Sequence, residues 1–220
     1  MVDGILGVKH GGKTVVSWSL NTPFIIEREE RGTAPLEARL RAIRKVAEAG
    51  YLLGFHFDPM IYYPGWREDY TCLVREVFKG IPPDRVAWIS VGSLRFNPEM
   101  KRLIESNYPD TGITAEEMIA GDDGKMRYVK PLRLEMYRHM YKQIREAVGG
   151  DPLVYLCMER WDMWQRVLGF VPDSIGHLDY MFARSLWERF GLGSGKPDRT
   201  LYERAWEDED VEGGPARSRG

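Results

Sequence analysis

Three short apolar segments of strand length, separated by amphipathic helical segments, constrain the fold of this chain more than any other feature. Their starts near residues 14, 51 and 85 match the length of one strand–helix–strand unit. Each is apolar at successive positions, as strands buried on both faces of a parallel sheet are. The predicted strands are 14–20, 51–57 and 85–92, and the predicted helices are 36–49, 67–79 and 98–107. This order predicts an α/β fold with parallel strands and crossover helices.

The second half of the chain continues this pattern less regularly. Beyond the third strand the sequence predicts an irregular segment, a helix, a fourth strand and two helices, at 110–130, 132–148, 152–157, 160–168 and 175–191. The segment from residue 193 is rich in glycine, proline and charge, and we expect it to be disordered. We therefore divide the chain into a sheet-forming part, a C-terminal α/β extension and a tail, at 1–110, 111–192 and 193–220.

Composition excludes several classes of protein. The 31 basic and 33 acidic side chains nearly balance, which excludes a bulk polycation but not a local basic face. Two cysteines, Cys72 and Cys157, are too few for a disulfide-rich scaffold or for a metal site of three or four cysteines. No run of 18 apolar residues and no signal peptide is evident, so we expect a cytoplasmic protein that does not enter membranes.

The segment Gly7–Thr14 matches the phosphate-loop pattern G-x-x-x-x-G-K-T. Such a loop needs a strand before it and a helix that starts at its Lys-Thr, so that backbone N–H groups face the phosphate. Only six residues precede Gly7, and the strand-like sequence VVSWSL follows Thr14. We interpret the segment as a Gly-Gly turn that opens a strand. A nucleotide hydrolase that loses ATP binding on Lys13→Ala is the alternative.

Polar side chains follow the predicted strands at their carboxyl ends. They are Ser19 and Asn21, then Asp58 and Tyr62, then Ser93 and Arg95. In parallel sheets and barrels this edge binds ligands. The sequence therefore predicts a ligand site there.

Several short segments, in a fixed order over roughly residues 10–160, resemble the spore photoproduct lyase family of radical S-adenosylmethionine (SAM) proteins. They are SWSLNT at 17–22, AEAGYLLGF at 47–55, PMIYYPGW at 59–66, GSLRF at 92–96, NYP at 107–109, GKMRY at 124–128 and VYLCME at 154–159. The last segment, with Trp161 and Trp164 after it, is more similar to the broader photolyase-like relatives than to the sporulation enzyme.

The resemblance implies a partial (β/α)₆ barrel, of which this chain corresponds to the C-terminal half, with its last three or so strands and an extension. In the family, a [4Fe–4S] cluster on a C-x₃-C-x₂-C loop reduces SAM, and the resulting radical attacks a thymine dimer. This sequence has no such loop. We therefore expect a DNA-repair lyase-like fragment that binds SAM, binds no cluster by itself and is inactive alone.

On the SAM side, the resemblance places a serine hydroxyl at Ser19, and Asn21 lies two residues further along the same strand. Asp58 replaces a small apolar residue of the family. It could bind a ribose hydroxyl or the SAM amine, or form an Asx turn before Pro59. Tyr62 could stack on adenine or pack against Trp66.

On the substrate side, a DNA lesion brings phosphates, so we expect cations. The resemblance places Arg127 and Tyr128 against the lesion, with Lys130 nearby. Lys125 lies in the same loop, and Arg95 at a strand end could meet a phosphate. A solvated surface is the alternative for the basic side chains of 125–145.

Three hypotheses on function follow. The first is a truncated or split radical SAM enzyme, whose cluster half lies on another chain or was lost with the start codon. The second is a nucleic-acid-binding module without chemistry, and the third is the phosphate-loop hydrolase. An exposed strand edge near 14–20 would favour pairing with the missing half or with a second copy of the chain.

Overall fold

A computed structural model describes residues 2–211, with side chains described up to residue 206. The strands are β1 (Val15–Ser19), β2 (Leu52–Met60), β3 (Val86–Ser93), β4 (Arg95–Phe96), β5 (Met118–Ala120), β6 (Met126–Tyr128) and β7 (Leu153–Leu156). The helices are α1 (Pro23–Glu29), α2 (Leu36–Glu48), α3 (Trp66–Phe78), α4 (Pro98–Asn107), α5 (Lys130–Val148), α6 (Trp161–Leu168), α7 (Ile175–Phe190) and α8 (Arg199–Val211). A 3₁₀ turn, Pro83–Arg85, leads into β3.

The main sheet has four strands in the order β1-β2-β3-β7, and every neighbouring pair is parallel. Consecutive strands are joined by helices, as the alternation of apolar and amphipathic segments predicts. The α/β class with a parallel sheet and crossover helices is thereby confirmed. Among the described strands, β1 and β7 are the edges of this sheet, so the free edge predicted near 14–20 is present at β1.

One face of the sheet is covered by helices and holds the core. Phe55 and Phe57 of β2 are fully buried, and the ring of Phe55 meets that of Phe78 from α3 edge-on at 5.2 Å. Helix α5 adds Met136 and Met140, which are equally inaccessible to solvent. Burying large apolar side chains contributes roughly 1.5–3 kcal/mol each, so this face accounts for most of the packing.

The opposite face carries the alternate residues of the strands, and α7 covers part of it. The ring of Phe182 from α7 lies 5.0 Å from Tyr155 and 6.3 Å from Trp88. Arg189 donates to the carbonyl oxygens of Val86 at 2.7 Å and Pro83 at 2.8 Å. These contacts lie on the 3₁₀ turn before β3, on the first half of β3 and on β7. Helix α7 therefore packs toward the amino ends of the strands, away from the carboxyl ends where polar side chains gather.

The segment expected to be irregular forms a small antiparallel sheet, β4-β6-β5. Its strands have only two or three residues, too few to show a period in the sequence. The pairing places Arg95 opposite Arg127. The small sheet thus attaches the 118–128 hairpin directly beyond the carboxyl end of β3.

The structure differs from the expectation of a disordered tail. Residues 199–211 form α8, which packs on α7, while residues 212–220 lie outside the described residues. Trp206 Nε1 donates to Asp179 at 2.7 Å, and the rings of Tyr180 and Tyr202 lie 6.2 Å apart. The prediction of disorder was based on the charge-rich composition of the segment and did not consider the few aromatic side chains that hold α8 on α7. Sequence reasoning also missed α1, whose first turn is capped by the Thr22 hydroxyl.

No described helix is long and apolar enough to cross a membrane.

Gly176 permits the close crossing of α7 and α8. A Cβ added at Gly176 would lie 2.6 Å from the Tyr202 carbonyl oxygen and 2.8 Å from the Glu203 Cα. Because both are backbone atoms, Gly176→Leu should force α8 off α7. We expect amide hydrogen exchange in 199–206 to become at least about tenfold faster. A Cβ at Gly195 meets nothing, so Gly195→Ala is the matched control; equal protection in both variants would contradict this packing.

Candidate functional site

A pocket of about 520 Å³ opens at the carboxyl ends of β1 and β2, below α1, α4 and the loop that follows α4. Its apolar lining is Leu20, Ile25, Ile61, Leu94, Ile104 and Ile113. Three of the four residues predicted to bind the cofactor, Ser19, Asn21 and Asp58, line it together. Polar and charged residues complete the lining, among them Glu29, Glu30, Arg31, Thr33 and Thr111. A cavity of this volume that combines apolar walls with polar groups is typical of small-molecule sites.

Asn21 supports the pocket wall through its side chain. Its Oδ1 accepts from the Tyr70 hydroxyl at 2.7 Å and from the Thr22 amide at 3.1 Å. Its Nδ2 donates to the Pro59 carbonyl oxygen at 3.1 Å. Asn21 is only 3% exposed, so these bonds use most of its capacity. Ser19 is exposed at the end of β1 and is one of the residues that line the pocket.

Asp58 and Arg95, predicted to bind different ligand groups, form an ion pair with each other. Arg95 Nη1 and Nη2 donate to the two Asp58 oxygens at 2.8 and 3.1 Å, and both side chains are about 85% buried. Gly92 makes room for the pair, since a Cβ there would lie 2.6 Å from Asp58 Oδ1. The bidentate geometry fixes both groups at the pocket edge. Because Asp58 and Arg95 are 37 positions apart, no local sequence signal indicated that they would pair.

Cys157 lies beside this pair, with Arg95 Nη2 donating to its Sγ at 3.3 Å. Burial raises the pKa of the Cys157 thiol to about 11, and the neighbouring Asp58 carboxylate raises it further. The thiol is therefore protonated at neutral pH. Cys72 is exposed on α3. Within residues 2–206, no cluster of three His, Cys, Asp or Glu side chains could hold a metal ion.

The hairpin residues predicted to meet the substrate are paired with acids. Arg127 is buried and donates to Asp123, with Nη2 2.7 Å from Oδ2. Lys130 pairs with Asp162 of α6. Lys125 follows the turn that supplies Asp123, and its backbone N–H donates to that carboxylate at 3.1 Å. The expected basic surface is thus partly neutralised, by Asp123 in the turn of the hairpin and by Asp162 on α6.

Tyr128 and Tyr62 lie together, outside the pocket lining. Tyr128 is fully buried, and its hydroxyl accepts from the Tyr62 amide at 3.2 Å. Burial raises the pKa of Tyr128 to about 12, so the hydroxyl stays neutral. The Tyr62 ring lies 6.3 Å from Trp66 and 6.4 Å from Tyr128. The structure thus shows the packing alternative at Tyr62 and joins it to the hairpin.

A buried polar network that sequence reasoning missed supports both parts of the site. The Tyr137 hydroxyl lies 2.8 Å from Glu159 Oε1 and 2.8 Å from Ser93 Oγ, and it accepts from the Ser93 amide at 3.0 Å. Arg133 Nε lies 3.0 Å from Glu159 Oε1, and its Nη1 donates to the Tyr128 carbonyl oxygen at 2.7 Å. The network joins the ends of β3 and β7 to the hairpin. No local sequence signal marks such a set.

The Gly7–Thr14 segment does not form a phosphate loop. Gly11 and Gly12 have φ angles of 60° and 74° in a turn, and β1 begins at Val15 directly after Lys13-Thr14. No helix N-terminus is therefore available there to bind a phosphate. The interpretation as a turn that opens a strand is confirmed, and the hydrolase alternative is wrong in its geometry.

The raised pKa of Cys157 predicts a specific loss of stability at high pH. An unfolded thiol has a pKa of about 8.5, whereas the folded value is about 11. The contribution of the protonated Cys157 thiol to the free energy of unfolding is therefore complete below about pH 8.5 and is lost as the pH rises toward 11. Between pH 8 and 10, the free energy of unfolding measured in urea should fall more steeply for the unchanged protein than for Cys157→Ser. Cys72→Ser should retain the slope of the unchanged protein, and identical slopes in all three would contradict the shift.

Comparison with known proteins gives matches to one family. Residues 1–156 match the sequence model of the family described as spore photoproduct lyase. The chain is 40% identical over 118 residues to the spore photoproduct lyase of Bacillus subtilis (strain 168), covering 53% of this chain and 34% of that protein. It is 37% identical to that of Geobacillus sp. (strain Y412MC61), covering 53% and 35%. The matched region thus spans about a third of each curated relative.

Solved structures give the same result. A spore photoproduct lyase complexed with dinucleoside spore photoproduct aligns with a TM-score of 0.61 and 32% identity, over 71% of this chain and 48% of that one. A mutant with bound AdoMet and the same dinucleoside aligns with a TM-score of 0.60 and 31% identity, over 70% and 47%. The family match ends at residue 156, before α6, α7 and α8.

Proposed function

The chain belongs to the spore photoproduct lyase family, and from this we propose that it is the SAM- and lesion-binding part of a radical SAM DNA-repair lyase. One observation carries the proposal: the pocket at the carboxyl ends of β1 and β2 gathers Ser19, Asn21 and Asp58, three of the four residues predicted from the sequence to bind SAM. A solved relative with AdoMet and a dinucleoside lesion supports the same ligand classes.

The pocket suits SAM in size and in chemistry. Its aliphatic walls can bury an adenine ring, and the exposed Ser19 hydroxyl can bond a polar group of the ligand. Each Asp58 oxygen accepts one bond from Arg95 and retains a further lone pair, which suits an ammonium group. In the family, SAM at a reduced cluster supplies the radical that attacks the lesion. The contribution of this chain is to bind and orient SAM.

The residues of this chain do not fit a [4Fe–4S] cluster. Such a cluster in this family uses three clustered cysteines, whereas Cys72 lies exposed on α3 and Cys157 lies beside Arg95 beyond β7. We propose that the chain by itself does not reverse a lesion. Strands that complete the barrel would pair with the free edge of β1, on the same polypeptide or on a partner.

Binding of SAM tests the pocket. Isothermal titration calorimetry should detect SAM binding to the unchanged protein, and Ser19→Trp should abolish it because the indole would fill the pocket mouth. Ser194→Trp, at an exposed position in the loop after α7, should bind as the unchanged protein does. Equal binding by the two tryptophan variants would refute this site.

Reconstitution of the unchanged protein with iron and sulfide should give no stoichiometric visible absorption of a cluster. A stoichiometric cluster would refute the proposal that this chain is inactive by itself.

The hairpin is the proposed nucleic-acid-binding surface. Lys125, Arg127 and Lys130 lie on the hairpin or at the start of α5, directly beyond the strand ends. Because Arg127 and Lys130 are already paired with Asp123 and Asp162, DNA phosphates must compete with these acids. The surface should therefore bind DNA weakly and with strong salt dependence. DNA binding without SAM binding would favour the second candidate, a module without chemistry.

Substitutions at the lysines test this surface. Lys125→Ala and Lys130→Ala should each weaken binding to short DNA and reduce the salt slope by about one. Asp162→Asn should strengthen binding, because it frees Lys130 from its carboxylate. Lys142→Ala, on the solvated face of α5 with a 72% exposed side chain, is the matched control in a fluorescence anisotropy titration. An equal effect of Lys142→Ala and Lys130→Ala would mean that the binding is not local to the hairpin.

A further inference from the structure

Met158 combines two unfavourable features at the edge of the candidate site. Its φ angle is 51°, and it is the only residue other than glycine with positive φ in the part of the chain that the structure describes. The left-handed region is unfavourable for an L-residue because its Cβ lies too close to the following carbonyl oxygen. Its side chain is also 53% exposed, although it is large and apolar. A glycine would make the same turn without either cost.

Both residues next to Met158 are held in place by other segments of the chain. The Cys157 amide donates to the Val91 carbonyl oxygen at 2.8 Å, which continues the pairing of β7 with β3. On the other side, the Glu159 side chain is held: its Oε1 lies 2.8 Å from the Tyr137 hydroxyl and 3.0 Å from Arg133 Nε, with which it forms an ion pair. The exposed thioether therefore belongs to a residue whose two chain neighbours are fixed by contacts with other segments.

Both chain neighbours of Met158 contact residues of the site. Cys157 Sγ lies 3.3 Å from Arg95, which carries the Asp58 pair at the pocket edge. Glu159 binds Arg133, whose guanidinium holds the Tyr128 carbonyl oxygen of the hairpin. Met158 thus lies between a residue that contacts the pocket edge and a residue that contacts the support of the hairpin.

We propose that Met158 is a base-contacting residue, whose thioether packs on an unstacked pyrimidine of the bound nucleic acid. A polarisable thioether makes a favourable contact with an aromatic ring. The left-handed turn keeps this side chain at the end of β7. This proposal rests on the proposed function, since it names the part of the nucleic acid that the same surface recognises.

The test compares two probes that share a backbone and differ in their bases. Fluorescence anisotropy measures binding of a short oligothymidylate and of an abasic oligomer of the same length. For Met158→Gly, the affinity for oligothymidylate should fall about two- to tenfold, while the affinity for the abasic oligomer stays unchanged. Met158→Leu, which keeps an apolar side chain, should retain most of the affinity.

A stability measurement separates this role from damage to the fold. Met158→Gly relieves the backbone, so its melting temperature should rise by a few degrees while its affinity for bases falls. Met100→Ala, at an exposed methionine on α4, is the control and should bind both probes as the unchanged protein does. An equal loss on both probes, or unchanged binding by Met158→Gly, overturns the role of Met158. If the unchanged protein binds neither probe, the proposed nucleic-acid function fails, and this role fails with it.

Discussion

Three buried tyrosine hydroxyls hold the carboxyl ends of two neighbouring parallel strands, β2 and β3, beside the candidate site. The hydroxyls of Tyr70, Tyr128 and Tyr137 accept from the amides of Ile61, Tyr62 and Ser93, directly after β2 or at the end of β3. Burial raises the pKa of all three hydroxyls, so they stay neutral and can donate as well as accept. A backbone N–H that leaves a parallel sheet loses its ladder partner, and leaving it buried and unpaired would cost about 1–3 kcal/mol. These bonds remove that cost and fix the loops that form the site.

Charge in the site is arranged in local pairs. Arg95 is held by Asp58 and Arg127 by Asp123, so two of the cations nearest the strand ends do not face solvent as free charges. This arrangement gives the side chains fixed positions before any ligand arrives. An anionic ligand must also compete with these carboxylates. Its net binding free energy is the difference between its own contact with the arginine and the internal ion pair that it replaces. A site built in this way favours a ligand that also offers bases or an ammonium group over one that offers phosphate alone.

The alternation of strand and helix could be predicted because each element carries its own period. Helix α3 shows this: Tyr70, Leu73, Val74 and Val77 repeat at helical spacing, and all four are buried. The hairpin and α8 could not be predicted in the same way. β6 has three residues, and α8 is held by a few aromatic contacts and by the absence of a side chain at Gly176. Such elements are stabilised by tertiary contacts, which cannot be read from the local composition of the sequence.

The sequence by itself determined the parallel sheet, its crossover helices, the family and the edge at which polar residues collect, because periodicity and strand ends are local properties. Only the tertiary structure decided how those polar residues are used. It set Asn21 into the wall, joined Asp58 to Arg95 across 37 positions, and brought Asp162 to Lys130. It also left Met158 strained and exposed between the pocket and the hairpin. Such pairings depend on distances between segments far apart in the chain, and those distances exist only after the sheet and its helices have packed.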